Sequence, residues 1–157
     1  PPGGEPLEVK WPNDILIGRK KTCGILLEGE ALPDGRRALV IGIGINIRHM
    51  PDDAPYGVTR LADHGAGSSP DEVFAHLFRE MADVLDAWDK GRGTAEISRR
   101  WRKVACGIGE KITVNLTDRS LVGTFTGIDD RGFLMLDTGE GAPMPIAAGD
   151  VFFERTD

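Results

Sequence analysis

The sequence predicts an α+β fold in two parts, a sheet-and-helix region over residues 1–106 and a small β-barrel over residues 107–157. Three observations predict it. Short apolar runs broken by turn residues come first, one long helical stripe follows them, and alternation of period two returns near the end. A length of 157 residues accommodates one medium and one small domain.

The first strands are predicted from alternation and turn residues. Residues 7–10 alternate apolar and polar side chains, and Pro12 ends the run because proline has no N–H for a ladder. Residues 15–17 and 24–27 are apolar runs joined by a polar link that begins with glycine, which predicts a hairpin. Lys21 is expected at the foot of the second strand of this hairpin.

The next segment predicts a buried strand and a long loop. Residues 38–47 are almost continuously apolar, and Gly42 and Gly44 within them indicate close backbone neighbours. We therefore expect a buried central strand. Residues 50–68 are rich in Pro, Asp, Gly and Ser and have no sustained period, which is typical of a mobile or functional loop.

Helix signals follow the loop. Ser69 supplies a cap, Pro70 occupies the first helical position, and Glu72 lies three residues after the cap. The apolar residues that follow fall on one stripe at helical spacing, which predicts a core-facing helix that ends near Gly91. A shorter helix is expected after it, linking the two parts of the chain.

From residue 110 onward the apolar residues alternate with polar ones in four short runs separated by turn residues. Several short strands at this spacing predict a small barrel. The runs cover residues 111–116, 121–128, 133–137 and 143–147.

Composition excludes several classes of function. A formal net charge of −6 argues against a protein that coats nucleic acid, because such binding needs clustered cations. No stretch approaches the roughly 20 apolar residues of a membrane span. Cys23 and Cys106 lie outside any C-x-x-C pair and are interpreted as reduced thiols of a cytoplasmic protein. Because the chain opens at Pro1 without methionine, we expect it to start within a longer protein.

Three short motifs combine polar and apolar residues in a fixed order: Lys10–Asp14 (KWPND), Lys20–Leu26 (KKTCGIL) and Gly42–Asn46 (GIGIN). Together with the C-terminal barrel, they make the sequence resemble the biotin protein ligase family over nearly its whole length. The resemblance implies the second half of a biotin/lipoate ligase-type mixed sheet, followed by an SH3-like barrel. The glycine motif alone is weak evidence, since it matches neither a dinucleotide fingerprint nor a P-loop.

The resemblance also implies a reaction. Biotin is activated by ATP to biotinyl-5'-AMP, and the biotinyl group then passes to a lysine of a biotin carboxyl carrier protein of acetyl-CoA carboxylase. Because a carboxylate and a polyphosphate repel each other, such a site must supply cations and Mg²⁺ where the two anions meet.

Site residues follow from matching motif positions. Lys21 is the expected catalytic residue, which contacts the biotin carboxylate and then the adenylate phosphate, and the alternative is a solvated hairpin cation. Lys10 is expected near biotin or phosphate, or in a structural ion pair with Asp14. The other expected contacts to biotin and adenylate are Gly24 and Ile25, and those to ATP and Mg²⁺ are Asn13, Asp14, Asn46 and Lys111.

Each of these nucleotide contacts has a structural alternative. Asn13 and Asp14 could form an Asx turn, and Lys111 could be a solvent-facing strand residue. Trp11 is interpreted as packing rather than chemistry.

The sequence departs from the family pattern in two places. The family's Gly-Arg-Gly-Arg loop should precede the first motif and is absent from this chain, so we expect half of the active site to be missing and the isolated chain to be weak or inactive. Gly91–Gly93 is interpreted as a helix stop. A role for Arg155 is doubtful, because the aligned position could hold Glu154.

Other functions stay open at this point. A lipoate ligase-type enzyme shares the fold and the lysine-centred chemistry, and a non-catalytic module could dock the carrier protein. A repressor role has no support in an acidic chain, and homodimerisation through an exposed strand is a further option.

Overall fold

A computed structural model describes residues 4–153, which form two antiparallel sheets and two α-helices. This confirms the α+β class. Two 3-10 turns are also present in the described residues, Leu61–His64 before the first helix and Asp89–Gly91 between the two helices along the chain. The elements are β1 (Leu7–Lys10), β2 (Asp14–Ile17), β3 (Lys20–Ala31), β4 (Arg37–Ile45), α1 (Pro70–Trp88), α2 (Thr94–Val104), β5 (Lys111–Asn115), β6 (Ser120–Ile128), β7 (Leu134–Asp137), β8 (Met144–Ile146) and β9 (Asp150–Phe153).

The first sheet has the strand order β1-β2-β3-β4, and the predicted hairpin is formed by β2 and β3. Its turn is tighter than the sequence predicted, because β3 already begins at Lys20. The two turn residues, Gly18 and Arg19, have φ angles of 56° and 64°. Two consecutive positive φ values match the twist of a two-residue hairpin turn. Lys21 therefore lies within β3, one residue from its start.

The two faces of the long β3–β4 hairpin differ in composition. The pairs Ile25–Ile43 and Leu27–Ile41 belong to one face, and the pair Gly24–Gly44 belongs to the other because side chains alternate along a strand. Leu27 is 60% exposed on the aliphatic face. The prediction of a buried central strand is wrong for β4, which is the last strand in the sheet order. An apolar run shows what a strand can bury, but not that a neighbour covers it.

Helix α1 begins where the capping signals predicted. The Ser69 N–H donates to Glu72 Oε2 over 2.8 Å, and the Glu72 N–H donates to Ser69 Oγ over 3.3 Å, which is a complete capping box. The prediction that its stripe faces a core is wrong. No residue of α1 is buried, and Phe74 and Phe78 are 66% and 70% exposed. Helical periodicity identifies an amphipathic surface without supplying the surface that packs against it.

The second sheet has the order β8-β7-β6-β5-β9 and carries the best-packed core of the described residues. Trp11 belongs to this core, and its indole Nε1–H donates to the Gly132 carbonyl over 3.0 Å, in agreement with the packing role predicted for it. Edge strands β8 and β9 are short, and no pairing between them closes the sheet into a barrel within residues 4–153. The core contains Trp11, Ile112, Val114, Phe125, Ile128, Leu134, Leu136, Ile146 and Val151.

Contacts group the chain into two compact units. Within the described residues, one contains residues 4–8 and 13–73, and the other contains residues 9–12 and 74–153. This grouping differs from a division after residue 106, which stays a prediction. No helix in the described part of the chain is long and apolar enough to cross a bilayer.

We predict that Trp11→Ala destabilises the second unit by about 3 to 5 kcal/mol, because it removes a buried aromatic side chain and leaves a cavity. Trp88→Ala is the matched control, since Trp88 is 45% exposed, and should change stability by less than about 0.5 kcal/mol. Urea unfolding followed by circular dichroism measures both. Equal effects of the two substitutions would contradict the burial of Trp11.

Candidate functional site

The candidate site is built on an ion pair between β2 and β3. Lys21 Nζ lies 2.6 Å from Asp14 Oδ1, and the two side chains are 26% and 17% exposed. A bulge between Ile15 and Leu16 shifts the strand register, so that Asp14 pairs with Gly24 while Leu16 pairs with Lys21. Bulges re-aim side chains. Here the bulge lets residues of two different pairs meet on one face.

Gly24 leaves the space that the lysine occupies. A Cβ atom at this position would lie 3.1 Å from Lys21 Cε and 3.2 Å from Nζ. These distances are tighter than ordinary van der Waals contact, so a side chain here would require the end of the Lys21 side chain to shift by a few tenths of an ångström. Glycine at position 24 thus leaves room for the ammonium beside Asp14.

Tyr56 is the third group at the ammonium. The centroid of its ring lies 5.3 Å from Lys21 Nζ, and the two side chains are also hydrogen-bonded. Burial lowers the pKa of Lys21, but the hydrogen bond and charge of Asp14, with the contribution of Tyr56, outweigh burial and raise the pKa above its usual value. The ammonium is therefore charged at neutral pH.

Asn13 and Asn46 both use their amide nitrogen to hold backbone. Asn13 Nδ2 donates to the Ile25 carbonyl, and the Ile25 N–H donates to the Asn13 carbonyl over 2.9 Å. Asn46 Nδ2 donates to the Thr59 carbonyl over 3.0 Å. As metal ligands, these residues can offer only their amide oxygens, because the amide nitrogens are hydrogen-bond donors.

Ile25 contributes to this site through its backbone. It follows Gly24 in β3, so its side chain lies on the opposite face of the strand from the Lys21 ammonium. Asn13 is hydrogen-bonded to both backbone polar groups of Ile25, through its side-chain amide and its own carbonyl. On the face that carries the Lys21 ammonium, Ile25 can therefore contact adenylate only through its backbone atoms.

A small pocket opens beside the ion pair and brings together Lys21, Gly24 and Asn46 of the predicted set. Thr22 Oγ1 is buried and has no hydrogen-bond partner among the described residues. Burial raises the pKa of the neighbouring Cys23 thiol, with Asp14 adding to the effect, so this cysteine is a protonated free thiol. The pocket is lined by Lys21, Thr22, Cys23, Gly24, Gly44, Asn46, Pro51, Tyr56 and Val58.

Lys10 and Lys111 belong to the second compact unit. Lys10 Nζ lies 5.7 Å and 6.0 Å from the ring centroids of Phe152 and Phe153, which are cation–π distances. Asp14 has Lys21 as an ion-pair partner, and the pairing of Lys10 with Asp14 stays a prediction. Lys111 opens β5 beside a shallow depression that also includes Asp137. The predicted role for Arg155 concerns a residue outside the described part of the chain.

The oxygen atoms of Asn13, Asp14 and Asn46 suit a hard cation that is also bound by phosphate or water oxygens. Within residues 4–153 no group of three or more His, Cys, Asp and Glu side chains is placed to hold a metal. Asp14 and the amide oxygens of Asn13 and Asn46 are nevertheless the oxygen donors that Mg²⁺ prefers. Mg²⁺ commonly uses one or two such groups and completes its shell with phosphates and water.

Sequence reasoning missed Tyr56, Thr59 and His64. All three lie in a segment without periodicity. The contacts of Tyr56 and Thr59 with Lys21 of β3 span more than thirty positions of the chain, and His64 contacts Thr59. The signal that pointed toward them was the length of the loop over residues 50–68. It indicated a functional segment, but it identified no residue.

Comparisons with known proteins give one consistent result. Residues 107–154 match the family model described as biotin protein ligase C terminal domain. The chain is 39% identical over 147 residues to the bifunctional ligase/repressor BirA of Bacillus subtilis, covering 85% of this chain and 42% of that protein. It is 34% identical over 156 residues to the biotin--[acetyl-CoA-carboxylase] ligase of Paracoccus denitrificans, covering 94% and 63%.

A solved structure gives the same result. The biotin protein ligase of Aquifex aeolicus in complex with biotin and ATP aligns with a TM-score of 0.77 at 25% identity, covering 96% of this chain and 63% of that one. The chain thus spans between about two fifths and two thirds of the proteins that it matches.

We predict that Asp14→Asn lowers the pKa of Lys21, because it removes the charge that offsets burial. At a pH below the pKa of the lysine in the unfolded chain, the raised pKa of Lys21 stabilises the folded state. This stabilisation is lost as the pH rises through the pKa of Lys21 in the folded state. The variant should therefore be less stable than the wild type at neutral pH, and the difference should shrink at strongly alkaline pH.

The measurement is an NMR titration of the Lys21 Cε resonance, combined with thermal unfolding at several pH values. Asp34→Asn is the matched control, since Asp34 pairs with Arg36 at an exposed turn. An unchanged Lys21 titration in Asp14→Asn would show that the ion pair does not set the pKa.

Proposed function

We propose, on the premise that this chain belongs to the biotin protein ligase family and corresponds to the C-terminal part of its members, that it supplies half of the active site of an ATP-dependent biotin ligase. The observation that carries the proposal is the Lys21–Asp14 pair beside a glycine-lined pocket. In the proposed reaction, a biotin carboxylate oxygen attacks the α-phosphate of ATP and pyrophosphate leaves. A carrier-protein lysine then attacks the resulting anhydride, and AMP leaves.

Lys21 is proposed to neutralise the two anions that must meet. A carboxylate and a triphosphate repel each other, and a fixed ammonium between them reduces that repulsion more effectively than water does. Asp14 and Tyr56 hold the ammonium charged and in place before substrate arrives. Preorganisation of this kind avoids a reorganisation cost during the reaction.

The glycine face of the β3–β4 hairpin is proposed to receive the ligand. Gly24, Gly42 and Gly44 lack side chains on the face that carries Lys21, which lets a ligand approach the backbone closely. The neighbouring Thr22 hydroxyl supplies a buried polar atom in the wall of the pocket. Its missing partner is consistent with a polar ligand group.

Asp14, with the amide oxygens of Asn13 and Asn46, would hold Mg²⁺ bound to the ATP phosphates. The ion would contribute further positive charge at the reacting phosphate. This chain's own contribution is to hold these oxygens in place, because each amide nitrogen is fixed to a backbone carbonyl. Lys10 stays a prediction for contact with biotin or phosphate, and Lys111 stays a prediction for contact with ATP.

The proposed acceptor is a biotin carboxyl carrier protein of acetyl-CoA carboxylase, and the name of the Paracoccus denitrificans relative gives acetyl-CoA carboxylase as the target of that enzyme. A cytoplasmic location and a homodimer stay predictions. The carrier-docking and lipoate alternatives differ from this proposal in what the pocket binds, so ligand titration separates the three.

We predict that the wild-type chain binds biotin in calorimetric titration and that Lys21→Ala weakens binding by about tenfold to a hundredfold. A charge-assisted hydrogen bond to a carboxylate is worth about 1.5 to 3 kcal/mol, and about 1.4 kcal/mol is a factor of ten. Lys20→Ala is the matched control, since Lys20 is the exposed neighbour in the same strand. Equal losses for the two variants would argue against the proposed role of Lys21, and a preference for lipoate would favour the lipoate alternative.

We further predict that the isolated chain forms biotinyl-AMP at least about a hundredfold more slowly than a chimaera carrying the part of the Paracoccus denitrificans ligase that the chain does not match. The chain spans 63% of that relative, and a site that lacks some of its positioning groups loses rate steeply. Biotin-dependent pyrophosphate release measures both proteins, with Lys21→Ala in the chimaera as control. Full-rate adenylation by the isolated chain would refute the half-site.

A further inference from the structure

A short segment of the long loop runs beside β3 at Lys21. The Lys21 N–H donates to the Gly57 carbonyl over 2.9 Å, and the Thr59 N–H donates to the Lys21 carbonyl over 2.9 Å, as in a parallel pair centred on Val58. Strand β4 pairs with β3 only as far as Cys23. Gly57–Thr59, here called the return segment, therefore takes the place of β4 beside Lys21.

Thr59 anchors the return segment at its side chain as well as its backbone. It is only 5% exposed, and its Oγ1 lies 2.9 Å from His64 Nε2. Asn46 Nδ2 donates to the Thr59 carbonyl over 3.0 Å, and the Leu61 N–H donates to the Asn46 carbonyl over 2.8 Å. His64 is the last residue of the 3-10 turn that begins at Leu61. Thr59 is thus held by Asn46 at its carbonyl and by His64 at its side chain.

The same segment also delivers Tyr56. This residue immediately precedes Gly57, whose carbonyl accepts the Lys21 N–H. A single anchored segment therefore fixes both the backbone of Lys21 and the aromatic ring that lies 5.3 Å from its ammonium. A shift of the segment would move the lysine and the tyrosine together.

We infer that Thr59 and His64 form a positioning pair, which acts through the return segment to set the place of Lys21 and Tyr56. Neither residue lines the pocket. Their effect on ligand binding is indirect, and a displacement of about 1 Å at a reacting group is enough to cost a large factor in rate. The inference deepens the proposed function, because Lys21 matters for binding only if that proposal holds.

The test compares Thr59→Val, which removes the hydroxyl and keeps the shape, with Thr59→Ser, which keeps the hydroxyl. The first readout is the NMR titration of Lys21 Cε in the ligand-free chain, and the second is biotin affinity by calorimetry. We expect Thr59→Val to lower the Lys21 pKa and to weaken biotin binding by about tenfold, and Thr59→Ser to restore both. Thr117→Val, at an exposed threonine of the second unit, is the matched control.

His64→Leu removes the other partner of the Thr59–His64 hydrogen bond and provides a second variant if Thr59→Val does not fold. A folded Thr59→Val or His64→Leu chain with wild-type Lys21 titration would overturn the inference. The ligand-free titration also separates the two proposals. A shifted Lys21 titration in a chain that never binds biotin would support the positioning pair and reject the proposed function.

Discussion

The ion pair between Asp14 and Lys21 is the interaction on which the rest of the candidate site depends. Its two partners come from neighbouring strands that a regular register would keep apart, and the bulge at Ile15–Leu16 brings them to one face. Gly24 then provides the space for the lysine side chain. Three local features of β2 and β3, a bulge, a glycine and a tight turn, thus place one charged group with the precision that anion chemistry requires.

Much of the local structure could be predicted because its causes are local. The capping box at Ser69 and the hairpin around Gly18 depend on side chains and φ preferences within a few residues, and both are present. Lys21 could be chosen because it lies in a short motif with a recognisable order. Its ion pair with Asp14 was not predicted, since Lys10 was the only partner expected for Asp14 and the bulge that brings Lys21 to Asp14 has no local sequence signal.

The remainder could not be predicted because it depends on pairings across long distances in the chain. Tyr56 and Thr59 meet β3 through a loop without periodicity, so no pattern indicated that the loop returns to Lys21. The burial of α1 was predicted wrongly for a related reason. Its apolar stripe is present, but Phe74 and Phe78 are exposed. An amphipathic pattern shows which face of a helix is apolar, but it does not show that another surface packs against that face.

The alternation of glycine and isoleucine in β4 gives the two faces of the hairpin different surfaces. Because side chains alternate across a strand, Gly42 and Gly44 lie on the face of Lys21, while Ile41 and Ile43 lie on the opposite face. A strand with isoleucine at every position would fill the ligand face, and one with glycine at every position would have no β preference. The motif therefore places aliphatic side chains on one face and leaves the other open, and Asn46 follows at the point where the strand ends and the loop toward Thr59 begins.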